Sequence, residues 1–143
     1  MKNEMKLEMD AISENEALAR VAVATFLTRL HPTLEEMEDV KTAVSEAVTN
    51  AIIHGVPEDG KVYITCSSEK NIFTVQIEDR GVGIENVQKA MEPLFTTKPE
   101  QERSGMGFAF MEAFMDELKV VSVPGEGTTV RMEKAIGFSR YEE

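Results

Sequence analysis

The sequence predicts an α+β domain, a two-layer sandwich in which a mixed, mostly antiparallel sheet carries its helices on one face. Its β-rich runs, 61–68 with 72–79 and 119–123 with 127–134, come as neighbours joined by turns rather than alternating singly with helices. Segment 33–55, TLEEMEDVKTAVSEAVTNAIIHG, carries an apolar arc at helical spacing, which needs a second layer to cover it. With 143 residues, the chain is read as a single domain over 1–143, long enough to bury a core.

Residues 4–10 place Met5, Leu7 and Met9 on one side, the period of a strand. Ser13, with Glu16 three residues on, has the pattern of a capping box and opens a helix that runs to about Leu30. That helix is apolar nearly all round, through Ala17, Leu18, Val21, Val23, Phe26 and Leu27. In a domain this small, one side can meet the core and the other a second copy of the chain. A homodimer is therefore expected, with the N-terminal strand and this helix near its interface. Arg20 interrupts the apolar surface, either snorkelling to water or meeting a partner. The helix ends at His31-Pro32, because the residue before a proline is driven out of the right-handed helical region.

Thr33 and Glu36 make a second capping box, and Gly55 supplies the matching stop. On a helical wheel Met37, Val40, Val44, Val48, Ala51 and Ile52 form the apolar arc. Asp39, Ala43, Glu46, Asn50 and His54 form a narrower stripe beside it. Glu46 and Asn50 lie one turn apart at the edge of the core, which suits either a solvated helix border or the wall of a cleft. After a turn at 57–60, the two strands 61–68 and 72–79 meet through a hairpin at 69–71. The second alternates, with Phe73, Val75, Ile77 and Asp79 on one face, and delivers Asp79 to a glycine loop, Asp79-Arg80-Gly81-Val82-Gly83. A short helix over about 85–91, a long polar loop over 93–107 and a helix from 105 to about 118 follow, then the last hairpin and a frayed tail.

Composition removes several functions. A formal net charge of −11 opposes nucleic acid and anionic membranes as partners. No apolar run approaches the roughly 20 residues of a membrane span, and the N-terminus has no signal-peptide core. The single cysteine, Cys66, excludes an internal disulfide and fits a reducing, cytoplasmic setting. Two histidines and one cysteine, far apart, make no transition-metal site.

Three polar elements remain. Gly105-Met106-Gly107 precedes a helix, where free N–H groups favour a phosphate, although a glycine there is often only structural. Asp79 followed by Gly81 and Gly83 suits a flat ring with an exocyclic amine, or equally a tight turn. Asn50 offers a hard oxygen of the kind Mg²⁺ takes alongside phosphates. Asn50, Asp79-Arg80-Gly81-Val82-Gly83 and Gly105-Met106-Gly107-Phe108 stand in the order of the N, G1 and G2 boxes of the gyrase, chaperone, histidine-kinase and mismatch-repair ATPase superfamily. Over residues 33–134 the chain resembles that superfamily. EAVTNAIIHG and PLFTTKPEQERSGMGF make it most similar to the bacterial anti-sigma factor serine kinases, those of sporulation in particular.

The resemblance implies a histidine-kinase-type ATPase fold and specific roles. Asn50 would hold Mg²⁺ against the phosphates of ATP or ADP, and Asp79 would accept from the adenine amine. Gly81 and Gly83 would shape the base pocket, and Thr128 would support it. Residues 94–104 would form a lid, with Lys98 and Arg103 read as solvated. Gly105 and Gly107 would open the phosphate-binding helix start, and Glu46 would be the general base. The implied partners are a sporulation sigma factor, held with ATP present, and an anti-anti-sigma factor, phosphorylated on serine and so inactivated. Two other readings are a sensor histidine kinase ATPase domain and a non-catalytic adaptor clamped by nucleotide. His31 and His54 lack the setting of a phosphoacceptor histidine, and the presence of Glu46 weighs against the adaptor.

Overall fold

The computed structural model describes residues 2–55, 60–84, 86, 87, 91 and 107–137. Strand β1 (Lys2–Asp10) leads to α1 (Asn15–Leu27) and α2 (Leu34–Asn50). These are followed by β2 (Lys61–Glu69), β3 (Ile72–Asp79), α3 (Gly107–Phe114), β4 (Glu117–Val123) and β5 (Gly127–Ala135). The strands form one sheet in the order β1-β2-β3-β5-β4. The expected mixed sheet is antiparallel at all four of its pairings, because each strand meets its neighbour through a hairpin or an antiparallel return.

The register explains the two layers. Ile64 pairs with Ile77, Ile77 with Val130, and Val75 with both Cys66 and Met132, so one face of the three central strands is apolar. Those residues are buried with Phe73 beneath Ala19, Val23 and Leu27 of α1 and Val40, Val44 and Val48 of α2. The Phe26 and Phe73 rings, 6.1 Å apart between centroids, join α1 to the sheet. Helix α2 packs against both α1 and α3. Cys66 is buried in this core, and the apolar surroundings push its thiol up to about 12, the signature of an inert small hydrophobe.

Helix α2 begins as its sequence requires. The Thr33 hydroxyl accepts from Glu36 N–H at 3.0 Å, and the Glu36 carboxylate accepts from Thr33 N–H at 2.9 Å. Both oxygens of Glu36 also accept from Gly137 N–H, at 3.2 and 3.1 Å, tying the start of α2 to the exit of β5. At the other end the regular helix stops at Asn50, and residues Ala51–Gly55 form a π-helical turn, where a continuous α-helix was expected.

Three boundaries differ from expectation. Ser13 does not cap α1: the helix starts at Asn15, its N-cap Glu14 makes no side-chain bond, and Glu16 is held by Arg20 at 3.0 Å. The α-helix yields to a 3-10 turn at Thr28–Leu30 before His31, which takes φ 53° ahead of Pro32. Helix α3 ends at Phe114 and β4 begins at Glu117, earlier than expected. There Asp116 bridges to β5, its N–H donating to Glu133 C=O at 2.9 Å and its carboxylate accepting from Ala135 N–H at 2.8 Å. Lys134 Nζ closes the helix end by donating to the Phe114 carbonyl at 2.6 Å. The 57–59 turn, most of the expected 85–91 helix, the 94–104 lid, Gly105 and the tail lie outside the described residues.

Candidate functional site

The last turn of α2 presents Glu46 and Asn50, both half-buried, along one edge. Gly107, the first residue of α3, is set against them. A Cβ built there would lie 3.1 Å from Asn50 Nδ2 and 3.3 Å from Glu46 Oε1. Any side chain there would push Asn50 and Glu46 aside, so glycine lets the helix start approach them closely, and its first-turn N–H groups lack intrahelical partners. The structure thus brings the carboxylate, the carboxamide and the glycine together from segments some 60 residues apart in sequence.

A second cluster forms where β3 ends. The alternation that buries Phe73, Val75 and Ile77 continues to Asp79, which is 6% exposed. Burial pushes its carboxyl above the ordinary carboxylate range, and N–H donation from Gly81 and Thr128 pulls part of the way back. The Gly81 bond is 3.0 Å long. Among the described residues no cation pairs with Asp79, so its remaining acceptor capacity faces the layer between sheet and helices. Arg80, by contrast, lies over the Tyr63 ring at 4.0 Å, on the outer side of the sheet.

Two glycines of this cluster are required by contact. Gly83 has φ +76° and Gly127 φ +124°. A Cβ on the first would run into the Val123 carbonyl, and on the second into the Asp79 carbonyl. The 79–84 loop therefore lies on the β4–β5 turn, where Gly125 N–H also donates to Val82 C=O at 2.8 Å. Thr128, buried, faces Asp79 across the β3–β5 ladder. The π-helical turn that follows Asn50 packs on both β3 and β5, so it joins the two clusters.

Sequence reasoning missed Ser122. Its hydroxyl accepts from Ile84 N–H at 2.6 Å, donates to Gly127 C=O at 3.1 Å and lies 2.8 Å from Thr128 Oγ1. The one signal available was a small polar residue breaking the apolar run KVVSV. Between α1 and α2 an open groove of about 320 Å³ is lined by Arg20, Lys41, Ser45 and Glu46 among others. Arg20, one of its walls, is ion-paired to Glu16. No group of three or more His, Cys, Asp or Glu side chains that could hold a metal ion occurs among the described residues.

Comparison with known proteins bears on this arrangement. Residues 10–134 match the histidine kinase-like ATPase domain family. The anti-sigma F factor of Bacillus subtilis is 54% identical over 142 residues, covering 98% of this chain and 97% of that protein. The anti-sigma F factor of Clostridium acetobutylicum is 56% identical over 135 residues, 94% of each. Among solved structures, a Mycobacterium tuberculosis protein with RsbU and RsbW domains superposes with a TM-score of 0.69 at 19% identity, over 94% of this chain and 32% of that one. The catalytic domain of histidine kinase ThkA does so with a TM-score of 0.56 at 18% identity, over 92% and 97%. At those identities the two structures show a shared fold. The expected α+β class is thereby borne out, and the chain belongs to the histidine kinase-like ATPase domain family and, within it, to the anti-sigma F factors.

Proposed function

We propose that this protein is an anti-sigma factor that holds a sporulation sigma factor and, as an ATP-dependent protein serine kinase, phosphorylates the anti-anti-sigma factor that opposes it. The observation that carries the kinase reading is the meeting of Glu46, Asn50 and Gly107. The residues fit a nucleotide with Mg²⁺. A helix start whose first residue, Gly107, has no Cβ suits phosphates, and the Asn50 carboxamide oxygen would suit a hard, partly hydrated cation. A buried carboxylate without a cation partner suits an exocyclic amine.

In this reading Asp79 accepts from the adenine amine, Gly81 and Gly83 admit the ring, and Thr128 supports it. Gly105 and Gly107 give backbone N–H groups to the phosphates, and Asn50 holds the cation. Mg²⁺, when bound, offsets the charge that builds on the phosphoryl oxygens. Glu46 takes the proton of the acceptor serine as its oxygen bonds to the γ-phosphorus, and ADP leaves with the electrons of the broken P–O bond. With ADP bound, the antagonist replaces the sigma factor. The protein works in the cytoplasm as a homodimer; Leu18 and Val21 of α1, each 57% exposed, support an interface near that helix.

The test is incubation with labelled ATP and the anti-anti-sigma protein. Acid-stable label on a serine is the expected result. Acid-labile label would favour histidine phosphorylation, and nucleotide binding with no transfer would favour a clamp without catalysis.

A further inference from the structure

Ser122 has one hydroxyl proton and two lone pairs to distribute among three neighbours. Ile84 N–H, at 2.6 Å, can only donate, so it takes one lone pair. Gly127 C=O, at 3.1 Å, can only accept, so it takes the proton. Thr128 Oγ1, at 2.8 Å, is able to do either, and only the second lone pair of Ser122 is left for it. Keeping both backbone bonds of Ser122 leaves Thr128 as the donor of the hydroxyl pair. With its proton committed, the Thr128 hydroxyl has nothing but lone pairs to offer a ligand. Next to it stands Asp79, an acceptor when ionised, whose carboxylate already takes N–H groups from Gly81 and Thr128.

We propose that Ser122 is a specificity-determining residue: by fixing the polarity of the Thr128 hydroxyl, it makes the base site take a 6-amino purine and refuse a 6-keto purine. The inference rests on reading this cluster as the base end of a nucleotide site. An amino group supplies the protons that two acceptors need. A keto oxygen would face lone pairs on both sides and stay unpaired in a buried place, the situation that gives polar recognition its selectivity. Without Ser122 the Thr128 hydroxyl turns freely and can donate to the keto oxygen.

The experiment is equilibrium binding of ATP and of ITP, its 6-keto counterpart, to the full chain and to its Ser122→Ala, Ser122→Cys and Ser122→Thr variants. The wild-type chain is expected to prefer ATP. In Ser122→Ala the ATP-to-ITP preference should fall about tenfold or more, through weaker ATP and undiminished ITP binding. Ser122→Cys, a weak acceptor of similar size, should do the same if the alanine variant is unstable. Ser122→Thr, which keeps the hydroxyl, should retain the preference. A proportional loss of both nucleotides in the Ala and Cys variants would overturn the assignment, as would a preference lost equally in Ser122→Thr. A wild-type chain that binds neither nucleotide would overturn the nucleotide reading itself.

Discussion

Gly107 and Asn50 meet so closely that one methyl group does not fit between them without a shift: the added carbon would sit 3.1 Å from Asn50 Nδ2. Glu46 Oε1, at 3.3 Å, leaves no easier direction. Overpacking of this kind costs about 1–3 kcal/mol, and here it falls on the residues assigned to Mg²⁺ and to the base. Gly107→Ala is expected to fold, with a melting temperature lowered by several degrees. Its Mg·ATP affinity should fall about tenfold or more in calorimetric titration, a loss of about 1.4 kcal/mol. An unchanged affinity would separate the glycine from the phosphate site.

Glu46 and Asn50 share a helix edge but are assigned different tasks. Replacing a positioned base typically costs about 10²–10⁴-fold in rate. Glu46→Gln should lose phosphotransfer on that scale and keep ATP binding, whereas Asn50→Ala should weaken Mg·ATP itself. Single-turnover transfer measured beside binding distinguishes them. Equal loss of nucleotide affinity in both variants would contradict the division.

Asp79 makes two pH dependences of opposite sign. Burial raises its folded-state value above 3.8, so the folded chain holds this proton more tightly than the unfolded chain does. Its contribution to stability is therefore fully present below the unfolded value and is lost as pH rises through the folded one. The ionised form is the stronger acceptor for an amine, so ATP binding should weaken as pH falls through that raised value, above the usual carboxylate range. Asp79→Asn should melt no lower than wild type at neutral pH and should show no such acid limb in its residual binding. An acid limb preserved in the variant would move the titrating group elsewhere.

Lys134 braces the helix pair at the end remote from Gly107. Its ammonium donates to the Phe114 carbonyl at 2.6 Å and lies 3.8 Å from Asp39 of α2. The Lys134 side chain is 14% exposed, so the bond is poorly replaced by water. A hydrogen bond to a charged group is worth about 1.5–3 kcal/mol. Lys134→Met should lower unfolding free energy by about that amount in urea titration, with Asp39→Asn costing less. A loss below about 0.5 kcal/mol, the ordinary scatter of surface changes, would show the brace to be incidental.

What could be read from the chain alone was local. Thr33 and Glu36 are three residues apart, and their reciprocal capping appears as drawn. The period of two in β3 was enough to bury Asp79 on the same face as Phe73. What escaped depends on distant partners. Ser122 acts on Ile84, 38 residues earlier, and Lys134 on Phe114, 20 residues earlier. Neither partner can be named until the strands are in register. The Ser13 pattern failed because the helix starts one residue later than it requires, with Glu14 at the N-cap, and Glu16 pairs with Arg20 one turn on. The switch to a π-helical turn after Asn50 has no marker in the sequence AIIHG. Helical spacing alone paired Glu46 with Asn50, but that Gly107 joins them was legible only through the resemblance of the three boxes.

Both clusters are assigned to one nucleotide. The direct measurement is calorimetric titration of Mg·ATP into the wild-type chain and into Asp79→Asn and Asn50→Ala, one change at each end of the cleft. Saturable binding by the wild type, weakened about tenfold or more by either substitution alone, is the predicted result. Wild-type binding left intact by both substitutions would contradict it.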